Sequence, residues 1–209
     1  VMLSQKSLGN LVSAFDKQDI AGAFGRQLPR PEAHNWVRRD YALSFPENGD
    51  APDWITLSLP LAAIRKDVWE KRPFYTDSWA SEDTEWGNWA RQAGHTVKYV
   101  PEATTMHSHN YTLKEIFGRR FVEGEADVFI HNKKMNLLLM VLMFVKILLQ
   151  DLKFHLKEKD FHGALLSFPR RWVYQWAYFK GNRLGRTRIA SQSNDTAIGQ
   201  KVVLNSVVR

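Results

Sequence analysis

Two carboxylates and two histidines are the residues whose types and spacing could do chemistry. Glu82 and Asp83 open the run Ser81-Glu-Asp-Thr-Glu-Trp86, and His107 and His109 flank Ser108 further along the same stretch. A carboxylate at a helix start is held ionised and well oriented, as a general base needs. The plainer role is a first-turn acid that complements the helix dipole. Imidazoles at i and i+2 face the same way on a strand, where they can share a divalent metal or a phosphate. One buried, hydrogen-bonded histidine beside one surface histidine is the plainer alternative. Arg119 and Arg120 resemble a phosphate clamp, because guanidinium forks match phosphate oxygens. Two adjacent arginines on a solvated helix face are the commoner arrangement.

The flanking elements that must position these groups are legible as local patterns. Ser81 is a suitable N-cap, and Trp86, Trp89, Ala90 and Ala93 recur at helical spacing to give one buried face. Gly94 ends that helix. Val97 and Tyr99 alternate with polar residues as a strand that Pro101 closes, and the histidines follow it. Thr112 and Glu115 form a capping box opening another helix, with Gly124 near its end. Upstream, the pattern predicts a strand at Val1–Ser4, an amphipathic helix over Lys6–Asp16 and a strand over Ile20–Phe24 closed by Gly25. A loop containing Pro29 and Pro31 follows and leads to a polar segment around His34–Asp40. Trp54–Ile64 reads as mostly strand, interrupted at Pro60. Asp67–Lys71 reads as a short helix, and the residues from Pro73 to Trp79 as loop.

Leu137–Val145 is an unbroken apolar run, too short for the roughly 18–20 residues that span a bilayer. Beyond it the chain reads as helical, with Phe168, Arg170, Arg171, Trp172, Tyr174 and Trp176 interleaving aromatics and cations. That mixture suits an interfacial helix or a helix packed on its own domain, and both readings stand. Residues 190–209 lack a clear period and are expected to form a flexible tail.

The 209 residues hold 44% hydrophobic and 24% charged side chains, which are globular values. Cysteine is absent, which excludes a disulfide framework, a thiolate metal site and a cysteine nucleophile. The net charge of +7 is uneven. Residues 151–209 carry 11 Lys and Arg against 4 Asp and Glu, while the rest of the chain balances. A basic tail favours anionic lipid or nucleic acid, or is simply solvated. Readable nucleic-acid modules are missing. So are a phosphate-binding glycine loop, a Gly-x-Ser-x-Gly elbow and a His-Glu-x-x-His site. The first residues show no secretory signal, and a chain that begins without Met on a strand-like run is expected to be part of a longer protein.

Taken together, several stretches resemble the C-terminal half of a family 2 glycosyltransferase of the GT-A fold, in its rhamnosyltransferase-like branch. They are Gly25-Arg-Gln-Leu-Pro29, Ala63-Ile-Arg-Lys-Asp-Val-Trp-Glu-Lys71, Ser81–Trp86, Gly94, Tyr99, Pro101-Glu-Ala103 and His107–Leu113. The resemblance implies an α/β fold: an incomplete GT-A, Rossmann-like mixed sheet with flanking helices. A helical, membrane-associated C-terminal segment would follow. It divides the chain into an acceptor-side part over residues 1–131, a membrane-peripheral helical segment over 132–189 and the tail. The resemblance implies inverting transfer of a sugar, rhamnose among the candidates, from a nucleotide-sugar donor such as dTDP-rhamnose to a saccharide or lipid-linked acceptor. Such enzymes build bacterial surface polysaccharide at the cytoplasmic face of the cell membrane.

By the same resemblance Asp83 matches the base, with Glu82 beside it, and His107 or His109 matches a ligand of Mg²⁺ or Mn²⁺ or of the diphosphate. Trp86, Arg119 and Arg120 are the candidate substrate-binding residues. Phe117-Gly-Arg-Arg-Phe121 stands where processive relatives carry Gln-x-x-Arg-Trp, and the match is partial. The sequence departs from the family in one respect. The aspartate of the donor-side metal motif is not found between Gln5 and Lys6, and the nucleotide-binding half is not within these 209 residues, so a fragment, a gap or a degenerate homologue is expected. A non-catalytic assembly module at the membrane is therefore the alternative reading.

Overall fold

The computed structural model describes residues 6–16, 19–75, 80–193 and 197–206. The strand expected at Val1–Ser4 lies outside them, as does the Thr76–Trp79 stretch of the expected loop. The chain divides into two compact units, Val1–Tyr75 with Glu82–Asn110, and Thr76–Ser81 with Tyr111–Arg209. The division falls before the Thr112 helix, so that helix belongs with the helical unit.

The first unit is mixed α/β, as expected. Its elements are α1 (Lys6–Ser13), β1 (Ile20–Leu28), α2 (Asn35–Ser44), β2 (Ala62–Ile64), α3 (Lys66–Lys71), α4 (Glu82–Gln92) and β3 (Thr96–Met106). The sheet runs in the order β2-β1-β3, with β2 antiparallel and β3 parallel to the central β1. Alternation along β1 serves both faces. Ala23 packs with Leu11, Ala14, Val100 and Ala103 on the α1 side. Phe24 packs with Trp86, Leu57, Val68 and Tyr99 on the other. Phe24 and Trp86 are fully buried, and burying one such ring stabilises a fold by about 2–3 kcal/mol.

Three expectations need correction here. β1 does not stop at Gly25 but continues to Leu28, and β3 does not stop at Pro101 but reaches Met106. The ladder survives because its register slips between Gly25 and Arg26, opposite Val100 and Thr104, leaving Pro101 in the irregularity. Gly25 makes this possible, since a Cβ there would strike the Ala103 carbonyl and Leu61. The third correction is Trp54–Ile64, which forms a strand only over Ala62–Ile64, after a 3₁₀ turn containing Pro60. Proline lacks the N–H that a ladder would use. The polar segment around His34–Asp40 belongs to α2, whose one buried anchor is Val37.

The second unit is helical: α5 (Leu113–His131), α6 (Leu137–Lys157), α7 (Phe161–Ala190) and α8 (Ala197–Ser206). Thr112 and Glu115 form the expected capping box. The helix runs on past Gly124 and ends at Asn132, which is left-handed at φ 50°. Gly124 instead marks a close crossing. A Cβ there would collide with the Tyr178 carbonyl of α7, and one at Gly181 with the Phe121 carbonyl of α5. Glycine on both helices lets the two backbones meet. Glu125 and Arg188 then pair across this crossing, both buried. The tail expected to be flexible carries α8, which packs on α5. Its hydrophobic period is too short to register in sequence. Among the described residues no helix is long and apolar enough to cross a membrane.

Candidate functional site

The acidic pair sits at the first two positions of α4. Ser81 stands directly before it with φ 70°, a left-handed backbone unlike that of an ordinary N-cap. Such a conformation costs a non-glycine residue about 1–3 kcal/mol. The helix end is fixed from the first unit. Thr56 Oγ1 donates to the Thr84 carbonyl at 2.9 Å, and a Cβ on Gly87 would strike Thr56.

Asp83 Oδ1 accepts from the Thr84 N–H at 2.7 Å. Burial raises the Asp83 pKa above the usual carboxylate value, and repulsion from Glu82 adds to the rise. Hydrogen bonds from the Thr84 and Leu59 backbones oppose it without cancelling it. Desolvation therefore outweighs the helix end in setting this pKa. A half-buried carboxylate with a raised pKa is a stronger proton acceptor than an exposed one.

The histidines follow the end of β3, where the His107 N–H still bonds the Leu28 carbonyl. Their rings meet edge to face with centroids 4.8 Å apart, and the two Nε2 atoms are 3.1 Å apart. His107 Nδ1 lies 2.8 Å from Oε1 of Gln27, a buried side chain on β1. The Gln27 amide donates to Ser58 Oγ at 2.6 Å. An amide oxygen only accepts, so with Oε1 facing it His107 carries its proton on Nδ1 and turns the Nε2 lone pair outward. Neighbouring Ser108 is buried and accepts from the Arg30 N–H at 2.9 Å.

Gln27, Ser58 and Leu59 were not among the expected site residues. Ser58 and its neighbour Leu59 connect the two halves, one holding Gln27 beside His107 and the other bonding Asp83. The available sequence signal was Gln27 itself, an amide that with Arg26 ends an otherwise apolar strand. Ser58 and Leu59 gave none.

Two expected substrate contacts are corrected. Trp86 has no exposed surface, packs against Phe74 and Trp89, and donates its indole N–H to the Arg72 carbonyl at 2.9 Å. It is core. Arg120 pairs with Glu123, and its guanidinium lies 3.8 Å from the Tyr174 ring centroid and 4.9 Å from that of Tyr178. That guanidinium holds helices together and is not a phosphate clamp. Arg119 is exposed and stacks over Tyr111 at 4.9 Å. Among the described residues no group of three His, Cys, Asp or Glu forms a ready metal cage.

The chain is similar to O-antigen chain rhamnosyltransferases. Over 135 residues, or 59% of its length, it is 28% identical to the O-antigen chain rhamnosyltransferase RfbN of Salmonella typhimurium. Over 132 residues, or 58%, it is 26% identical to the O-antigen chain rhamnosyltransferase WbaN of Salmonella anatum. These stretches are 43% and 42% of the two rhamnosyltransferases, so the chain spans less than half the length of the curated relatives it matches. No family model and no solved structure matches the chain.

Proposed function

We propose that the chain is the acceptor-side part of an inverting, nucleotide-sugar-dependent glycosyltransferase of surface polysaccharide synthesis, built on the GT-A plan. The observation that carries this reading is the carboxylate of Asp83, half-buried with a raised pKa and tied through Leu59 and Ser58 to the Gln27–His107 pair. Similarity to two O-antigen chain rhamnosyltransferases supports the same class, and makes a deoxysugar donor such as dTDP-rhamnose the first to test.

In the proposed step the Asp83 carboxylate takes the proton of the acceptor hydroxyl. The oxygen so released bonds to the anomeric carbon of the donor while the carbon–oxygen bond to the nucleoside diphosphate breaks. Attack from the side opposite the leaving group inverts the centre. Glu82, beside the base, raises its proton affinity. Two nitrogens bound to one cation at about 2.1 Å each stand about 3.0–3.4 Å apart. The 3.1 Å separation of the His107 and His109 Nε2 atoms fits that requirement. These histidines would hold Mg²⁺ or Mn²⁺, or the diphosphate itself. A cation there would offset the charge of the leaving diphosphate.

The test is Asp83→Asn in the full-length protein. Loss of a general base lowers turnover by about 10²–10⁴-fold, with donor binding unchanged by calorimetry. Wild-type turnover in the variant overturns the assignment of the base. A full-length protein that binds no nucleotide sugar with Mn²⁺ present favours the non-catalytic assembly module instead.

A further inference from the structure

In the helical unit α6 has a buried side and an exposed apolar side. One side packs on α7 through Met140, Phe144, Asp151 and His155, all buried. The other faces outward with Leu138, Val141, Leu142, Val145, Leu149 and Leu156, all exposed, Leu138 at 69% and Leu149 at 61%. At 100° per residue these six fall within a sector of about 100°, so they make one continuous aliphatic stripe. Exposed Lys146, Lys153 and Lys157 lie along one border of it.

α7 repeats the pattern. Phe161, Leu165, Phe168 and Trp172 recur at i, i+4, i+7 and i+11 and are exposed on one face. Phe144, on the α6 side that packs on α7, touches the rings of both Phe168 and Trp172 at 5.5 Å. Five helical turns of 3.6 residues are 18 residues. By that period Arg183 and Arg186 fall on the same line of α7 as Leu165 and Phe168. With Lys134 these arginines line an open cleft of about 600 Å³. Among the described residues no carboxylate pairs with any of the three.

Exposed apolar stripes on both helices of one hairpin are unusual on a soluble protein and mark a contact site. The chemistry of the occupant follows from what borders it. The α7 line carries exposed apolar side chains up to Trp172 and, beyond the buried Phe179, arginines with no carboxylate partner, and α6 passes from leucines to lysines across its width. An anionic bilayer surface offers both complements in one plane, acyl chains for the stripe and phosphates for the cations. Lysine stems reach along apolar surface to place their ammonium groups at the headgroups. We infer that the α6–α7 hairpin docks lengthwise on an anionic membrane surface, seating the outward stripe in the acyl region and a lipid phosphate in the Lys134–Arg183–Arg186 cleft. This inference stands independently of the sugar-transfer reading.

Flotation of the 209-residue chain with vesicles tests it. With roughly one-third phosphatidylglycerol the chain binds, and raised salt or pure phosphatidylcholine releases most of it. Leu142→Asp with Val145→Asp lowers the partition coefficient by about tenfold or more. Arg183→Gln with Arg186→Gln lowers it by about fivefold or more. All four positions are exposed, so unchanged thermal melts certify the folds. The inference is overturned if the wild-type chain ignores anionic vesicles, or if either double variant binds as the wild type does. It is equally overturned by a dimer in solution that Leu142→Asp with Val145→Asp splits, which assigns the stripe to a second copy of the chain.

Discussion

Gln27 and His107 meet at 2.8 Å across a separation of 80 residues, and that bond sets the chemistry of the histidine pair. A buried amide oxygen fixes the His107 proton on Nδ1. Its Nε2 is thereby left as a lone-pair nitrogen facing His109.

Gln27→Leu removes this anchor while keeping the volume of a β1 side chain. Loss of such a supporting hydrogen bond costs about 10–100-fold in metal affinity or activity. In the full-length protein the variant should lose Mn²⁺ affinity by that factor in calorimetry, with the donor affinity measured without metal unchanged. Wild-type Mn²⁺ binding would remove His107 from the metal assignment.

Asp83→Asn should also stabilise the protein at neutral pH. The folded pKa of Asp83 lies above its ordinary value of 3.8, so the folded state holds that proton more tightly than the unfolded chain. Stability therefore falls as pH rises from 3.8 through the folded pKa, and the penalty is complete above it. The asparagine variant lacks the penalty. Its melting temperature should exceed that of the wild type at pH 7 and converge with it below the ordinary aspartate pKa. A lower melting temperature at pH 7 would show that the ionised carboxylate stabilises the α4 start.

Asp151 behaves in the opposite sense. It is fully buried and bonds Arg170 at 2.8 Å and Arg171 at 2.6 and 3.0 Å. Burial alone would raise its pKa, but the bonds and charges of Arg171 and Arg170 outweigh that and lower it. Its contribution is present above the unfolded value of 3.8 and is lost as pH falls through the folded pKa. Asp151→Asn leaves two buried guanidinium groups without their countercharge and should destabilise the helical unit by about 3–5 kcal/mol. Denaturant unfolding at pH 7 measures the loss. A change below 1 kcal/mol would show that solvent reaches the arginines.

The sequence by itself determined what depends on neighbours along the chain. Thr112 and Glu115 are three residues apart, and their capping box forms as read. Gly94, at φ 85°, ends the α4 turn because a residue with a side chain is strained there. Tertiary structure decided whatever needs a partner distant in sequence. β1 and β3 outlast Gly25 and Pro101 because each supplies the other's hydrogen bonds across a slipped register. Trp86 became core and not a substrate contact because Phe74 and the Arg72 carbonyl close around it. Arg120 became a helix clamp because Tyr174 and Tyr178 arrive from α7. The acidic and histidine motifs could be recognised by residue type and spacing. Their proton positions could not, because these depend on Gln27, Ser58 and Leu59, whose roles arise only when β1 and the turn before β2 fold against them.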